Sequence, residues 1–248
     1  MYNKEIRVKL KRIGLGITKS YAKEGAKLSL NIYRMDSEEI DSLINELKNI
    51  NNTKVIVTKG DTTDENTEKE LIDKTIATFG KIVILVNNAG MVCESPVQDM
   101  TSEMWNKMIN IDLSSAFLTT RSVAPHMISR KSGRIINITY QTAQIGTLNM
   151  SHYAAAKAVV IGFAKSIALE LGQYGITANC VAPSPTEAEL FDSVSGNFKN
   201  NKKADLALPH FAKVEEVAAS AVFLAADPDG NAYTGQTLGP NSENVMFS

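Results

Sequence analysis

Cysteine is scarce in this chain: 248 residues hold two, Cys93 and Cys180. Two thiols make no disulfide framework, and the cytosol is the expected compartment. Histidine is nearly as rare. His126, His152 and His210 are scattered and form no ligand set, so no metal is expected. The net charge is only −1, so no global field draws in nucleic acid or an anionic membrane. Lys4, Arg7, Lys9, Lys11 and Arg12 lack interleaved aromatics and read as a solvated face. No apolar run approaches the roughly 20 residues of a membrane span. The first residues are charged, without an apolar stretch or small-residue cleavage site, and do not read as a secretory signal. Internal repeats and low-complexity linkers are missing too. The Asn/Lys-rich stretch 195–205 is the best candidate for a mobile loop.

What is present suits one domain, 1–248. Apolar residues make up 44% of the chain, enough for a sizeable core. Short apolar runs at 27–32, 53–58, 81–87, 133–139 and 175–183 are mostly apolar on both faces, as parallel strands covered by helices should be. A last short strand is expected near 235–239. Between the strands lie helical segments: 38–49 capped by Asp36 or Ser37, 65–79 after Asp64, and one long helix from Thr101 to about 130. Ser151 is the expected cap of 152–173, and a further helix spans 214–226. Strand and helix in alternation predict an α/β fold with a doubly wound parallel sheet, Rossmann-like. Ligands of such sheets sit beyond the carboxyl ends of the strands.

The motifs fall at those ends. "GLGIT" starts at Gly14, "GD" at Gly60, "NNAG" at Asn87, "GRIINI" at Gly133, "YAAAK" at Tyr153 and "GITANCVAP" at Gly175. Tyr-x-x-x-Lys alone is weak, since it also describes any two helix neighbours at i and i+4. The ordered series, however, resembles the short-chain dehydrogenase/reductase family from about Ile13 to Met246. "YAAAKAVVIGFAKSIALEL" and "YTGQTLGPN" look closest to its 3-oxoacyl-carrier-protein-reductase-like branch. The resemblance implies NAD(P)-dependent interconversion of a ketone and a secondary alcohol, with a small-molecule carbonyl or alcohol substrate. It also implies a homo-oligomer, a tetramer built on the helices near 102–130 and 152–173, where Ala154, Ala155, Ala158, Ile161, Gly162 and Ala168 leave more than one face apolar.

The chemistry needs a proton donor for the carbonyl oxygen. Tyr153 supplies a phenol, and an ammonium one helical turn away, Lys157, favours its phenolate form. In the family that lysine also binds the nicotinamide ribose, a serine holds the carbonyl and an asparagine supports a proton-relay water. The serine position, thirteen before Tyr153, holds Tyr140, a hydroxyl donor too large for the pocket. Thr139 adjoins it but faces the other way by strand alternation. The asparagine position holds Asp112, which accepts hydrogen bonds but has no N–H to give when ionised; Asn110 is two positions off in register.

The cofactor side is mixed. Gly14, Asp61, Asn88, Ala89, Gly90 and Pro183 match the family pattern. Ser184 and Ala188 stand where it has glycine and threonine. After the second strand the acid that would meet ribose hydroxyls is replaced by Ile32; Arg34 nearby could meet a 2′-phosphate, so NADP is favoured over NAD. In the glycine loop Val8 and Arg12 replace the first two glycines, and Arg12 brings a side chain where bare backbone should approach the pyrophosphate. The run before it alternates Ile6, Val8 and Leu10 with Arg7, Lys9 and Lys11, a pattern for one wet face. Residues 1–12 are therefore expected to be displaced, at an edge or poorly ordered, unless the lysines reach solvent along their stems. The segment before Gly14 is also several residues shorter than the family's.

Cys93 follows "NNAG" with no base placed to activate it and reads as a structural thiol; Cys180 reads as core. Two functions remain open. One is an oxidoreductase with an altered site. The other is a non-catalytic member serving as a binding or assembly partner.

Overall fold

The computed structural model describes residues 5–6, 13–186 and 206–242. Its strands are β1 (Glu5–Ile6), β2 (Lys27–Ile32), β3 (Val55–Lys59), β4 (Ile84–Asn87), β5 (Gly133–Ile138), β6 (Ile176–Val181) and β7 (Thr237–Leu238). Every pairing among them is parallel. The main helices are α1 (Ile13–Lys23), α2 (Ser37–Asn49), α3 (Glu65–Phe79), α4 (Ser102–Ile109), α5 (Ser115–Arg130), α6 (Thr142–Ile145), α7 (Ser151–Gly172) and α8 (Val214–Ala225).

Strand alternation explains the two layers. Leu28, Leu30, Ile84, Val86, Ile136 and Ile138 point to one face, where Ile17 and Tyr21 of α1, Leu43 and Leu47 of α2 and Val217 and Ala221 of α8 cover them. Leu85, Ile135, Ile176 and Ala178 point to the other face, against Ile72 of α3, Val123 and Met127 of α5 and Ile167 and Leu171 of α7. Both faces are buried, which is why these strands read as mostly apolar on both faces. Tyr21 is buried with its hydroxyl donating to the Ala221 carbonyl at 2.7 Å, and burial pushes its phenol well above the usual range.

The ladder runs β1-β2-β3 in one sheet and β4-β5-β6-β7 in the other. Glu5 lies opposite Lys27 and Ile6 opposite Leu28, and β1 also approaches β4. Among the described residues β1 is two residues long and bonded to β2. Arg7, Val8, Lys9, Leu10, Lys11 and Arg12 lie outside the described residues, as do Ala188 and the loop candidate 195–205.

The helices resolve one open expectation and change two. Asp36, not Ser37, caps α2: its carboxylate accepts the Glu39 N–H at 2.8 Å and Glu39 returns the bond, a reciprocal capping box. Ser151 is already helical; the cap position is Met150, with no side-chain bond, so the hydroxyl lies inside the first turn rather than ahead of it. The single helix expected over Thr101 to 130 is two helices joined by a π turn, Asn110–Ser114. Thr101 does cap its start, accepting the Met104 N–H at 3.2 Å. The extra residue in the widened turn offsets the helix register, and hydroxyl bonds from Ser115 to the Ile111 carbonyl and from Thr119 to the Ser115 carbonyl accompany it. The turn encloses Asp112, which is buried.

Candidate active site

A cleft of about 510 Å³ opens beyond the carboxyl ends of β2, β4 and β5. It is bordered by Arg34 after β2, Asn88 and Gly90 after β4, Tyr140 after β5, Asp112 from the π turn, and Tyr153 and Lys157 from α7. Asp61 lines it as well. A second cavity of about 450 Å³ lies between α1 and α8, but the sequence-predicted site residues lie elsewhere. The chemistry therefore belongs to the cleft at the strand ends, where parallel sheets bind ligands.

Lys157 anchors the site. Its ammonium lies 3.1 Å from Asp112 Oδ1 and donates to the Ile138 carbonyl at 3.1 Å. Both side chains of the ion pair are almost wholly buried, at 6% and 0% exposure. The other carboxylate oxygen, Oδ2, accepts the Met91 N–H at 3.0 Å. Asp112 thus bridges the loop after β4 to the catalytic helix. Gly90 makes the bridge possible: a Cβ there would come within 2.7 Å of Asp112 Oδ1 and 3.3 Å of Lys157 Nζ. The sequence placed Asp112 beside the other candidates but did not pair it with Lys157, because the π turn that aims it was not legible.

The Lys157 ammonium also sits 5.7 Å from the centre of the Tyr153 ring. Tyr140 packs edge-on against that ring, with centroids 5.9 Å apart and planes at 62°. Both phenols line the cleft. Thr139 borders the cleft as well, but its hydroxyl is turned to the Lys157 backbone carbonyl, to which it donates at 2.9 Å, fastening β5 to α7. Asn110 is exposed on the far side of the π turn.

The cofactor residues divide. Arg34 adopts a positive φ of 59° and lays its guanidinium 5.0 Å from the Tyr33 ring centre, at the cleft wall. Asp61 is held by Thr63, whose N–H and hydroxyl both donate to Oδ1, at 2.9 and 2.8 Å. Asn88 and Gly90 line the cleft. Gly14, Ala89 and Pro183 do not. Gly14 is buried inside the first turn of α1, its carbonyl taken by the Thr18 hydroxyl at 2.8 Å. Ala89 borders a separate small recess beneath the loop. The Pro183 carbonyl accepts the Gln141 N–H at 3.0 Å, and Ser184 is buried beside it. Residues that sequence reasoning missed also reach the cleft: Ile13, Met35 and Lys107. Lys107, on α4, is a cation for which the motifs carry no signal. Among the described residues no group of three or more acidic, histidine or cysteine side chains could hold a metal, and no helix is long and apolar enough to cross a membrane.

The donor set suits a dinucleotide. The cleft lies within the usual range of ligand pockets, about 300–1,000 Å³. A phenol and an ammonium stand at one end, with Arg34 and Asp61 at the other. The ammonium carries three N–H groups, so the Ile138 carbonyl and Asp112 leave capacity for one further acceptor.

Comparison with known proteins agrees with this geometry. Residues 9–240 match the family model described as enoyl-(acyl carrier protein) reductase. The chain is 34% identical over 235 residues to a 3-oxoacyl-[acyl-carrier-protein] reductase of Synechocystis, covering 95% of this chain and 93% of the relative. It is 34% identical over 227 residues to the enzyme of that name from Thermotoga maritima, covering 92% and 91%. For the Staphylococcus aureus enzyme of that name the figure is 30% over 234 residues, covering 94% of each. With its parallel sheet, its cleft at the strand ends and Tyr153 and Lys157 inside it, the chain belongs to the short-chain dehydrogenase/reductase family, in the 3-oxoacyl-carrier-protein-reductase-like branch.

Proposed function

We propose that the protein is an NAD(P)-dependent carbonyl reductase working on a 3-oxoacyl-type substrate, with activity reduced by Tyr140 and Asp112. The observation that carries this reading is the placement of Tyr153 and Lys157 on successive turns of α7, both facing one cleft with Asn88 and Gly90. A bound nicotinamide would supply or accept the hydride. Tyr153 then gives its proton to the carbonyl oxygen, and the Lys157 ammonium stabilises the phenolate left behind. The remaining Lys157 donor holds a ribose hydroxyl. Arg34 supports NADP over NAD, since a guanidinium pairs bidentately with a 2′-phosphate. That the relatives are 3-oxoacyl-[acyl-carrier-protein] reductases supports the substrate class.

A second reading rests on one observation: the Lys157 charge is already paired with a buried carboxylate. A chain that kept the fold but lost the chemistry would serve as an assembly partner. Cofactor titration separates the two. Each lost close contact or charge-assisted bond costs roughly 1–3 kcal/mol, about ten- to hundredfold in affinity. Arg12 in the glycine loop and Ser184 after β6 should therefore place the NADPH dissociation constant in the micromolar range, read by nicotinamide fluorescence. A nanomolar constant would show that the loop binds as well as an intact one. Complete absence of binding by NADPH and NADH would favour the assembly partner.

Assembly is a further part of the proposal. Trp105 on α4, Phe117 on α5, and Val159 and Leu169 on α7 are exposed by 41%, 45%, 50% and 85%. Ala168 is not among them; it is buried in the core under α7. Apolar side chains in this number on neighbouring helices want cover, and we assign that cover to further copies of the chain in a homo-tetramer. Light scattering at micromolar concentration should give a multiple of the 27.0 kDa chain mass. A monomer alone would count against it.

A further inference from the structure

Sequence reading left Cys93 without a base, and the fold provides one. Cys93 Sγ lies 3.1 Å from His152 Nε2, across 59 positions of chain. Cys93 is on the loop after β4, and His152 is in the first turn of α7, immediately before Tyr153. The loop is tied to the residues preceding α7 by the Ser95 N–H, which donates to the Asn149 carbonyl at 2.8 Å. The distance between thiol and imidazole is thus held from both sides.

The environment of the pair is one-sided. His152 is wholly buried, and its Nδ1 has no hydrogen-bond partner among the described residues. The tautomer with its proton on Nδ1 turns the Nε2 lone pair toward the thiol, whose S–H then donates to it. Cys93 is half-buried and packs with Tyr140, Met91 and Met150 around Tyr153 and Met108. Its chain neighbours Met91 and Val92 line the cleft. Cys180 is the internal contrast. It is fully buried in β6, and burial pushes its thiol up to about 12, so it stays protonated and inert.

We propose that Cys93 is a nucleophilic thiol served by His152, and a covalent modification site for α,β-unsaturated carbonyl compounds that enter the cleft. His152 Nε2 takes the proton from Sγ. The thiolate attacks the β-carbon, forming a C–S bond as the C=C π pair moves toward the carbonyl oxygen. The resulting enolate takes the proton back from His152 at its α-carbon. The sum is addition of S–H across the double bond, with no oxidant or reductant. The thioether stands beside the cleft, one residue past Met91 and Val92 of its lining.

The test is alkylation by methyl vinyl ketone, followed by intact mass and peptide mapping, with glutathione in parallel as the unassisted thiol. A half-buried thiol without help reacts more slowly than a free one. The expected result is a single adduct on Cys93, formed at least about tenfold faster than on glutathione, well within the roughly hundredfold or more that a positioned general base contributes. Cys93→Ser should take no adduct, and His152→Gln should lose most of the rate advantage. A wild-type rate at or below that of glutathione overturns the proposal, as does an adduct on Cys180. Equal rates in wild type and folded His152→Gln overturn the role of the imidazole. If His152→Gln does not fold, the glutathione comparison decides alone. The readout needs neither cofactor nor turnover, so it stands or falls apart from the carbonyl-reductase reading.

Discussion

Lys157→Met is expected to lower the unfolding free energy by about 3–5 kcal/mol, the usual cost of removing one partner of a buried ion pair. The cause is Asp112 rather than the lysine. Its carboxylate is wholly buried, and without the ammonium 3.1 Å away Oδ1 loses its cation while Oδ2 keeps the Met91 N–H. A lone carboxylate away from water is far more costly than a lone amide. Asp112→Asn in the Lys157→Met background should therefore recover most of the loss, because the amide oxygen still accepts the Met91 N–H. Urea denaturation of the four proteins in that cycle gives the coupling directly. A Lys157→Met protein as stable as its parent would mean that the pair is not formed. Carbonyl reduction should disappear in Lys157→Met as well, since the ammonium beside the Tyr153 ring is lost.

Tyr140→Ser is expected to raise carbonyl reduction by about a hundredfold, the scale on which a misplacement near 1 Å acts. The rings of Tyr140 and Tyr153 already meet edge to face at 5.9 Å, so Tyr140 occupies space beside the proton donor. A phenol carries its hydroxyl several ångströms farther from the backbone than serine does. Its oxygen cannot hold a substrate carbonyl where a serine oxygen would without moving the backbone after β5. Serine would vacate the ring's volume and place a short donor at the strand end. Tyr153→Phe should remove all activity in either background, because no proton then reaches the carbonyl oxygen. The measurement is NADPH consumption with a small 3-oxoacyl thioester. If the parent is active and Tyr140→Ser is slower, Tyr140 is itself a working hydroxyl, and the reading of Tyr140 as an obstruction falls.

The elements were legible because burial on both faces leaves a plain mark. Runs such as Leu28 to Ile32 and Ile135 to Ile138 are mostly apolar on both faces, broken only by the small or amide side chains of Ser29, Asn31 and Asn137, and each reappears as a strand with helices on both sides. Tyr153 and Lys157 were legible because their chemistry depends on one helical turn, a local distance. Arg34, Asp61, Asn88 and Gly90 were placed by motif order and do reach the cleft. Gly14, Ala89 and Pro183 were placed by the same means and do not line it. Motif order records which loop a residue is on, not which way it faces.

Local patterning by itself determined the parallel α/β class and, through it, the cleft's position at the strand ends, because side-chain periods of two and 3.6 residues act over a few positions. The Tyr153–Lys157 pair was singled out by the ordered series of motifs and the family it resembles, with one helical turn setting its spacing. The tertiary structure alone decided the rest. The π turn, which no propensity announces, encloses Asp112 and sets it against Lys157. The approach of the β4 loop to α7 joins Cys93 to His152 across 59 positions. Such contacts depend on how whole elements pack, and the same residues in sequence would suit several packings. The charge on Lys157 and the base for Cys93 are therefore properties of the fold, since a pairing between distant segments exists only once the sheet has brought them together.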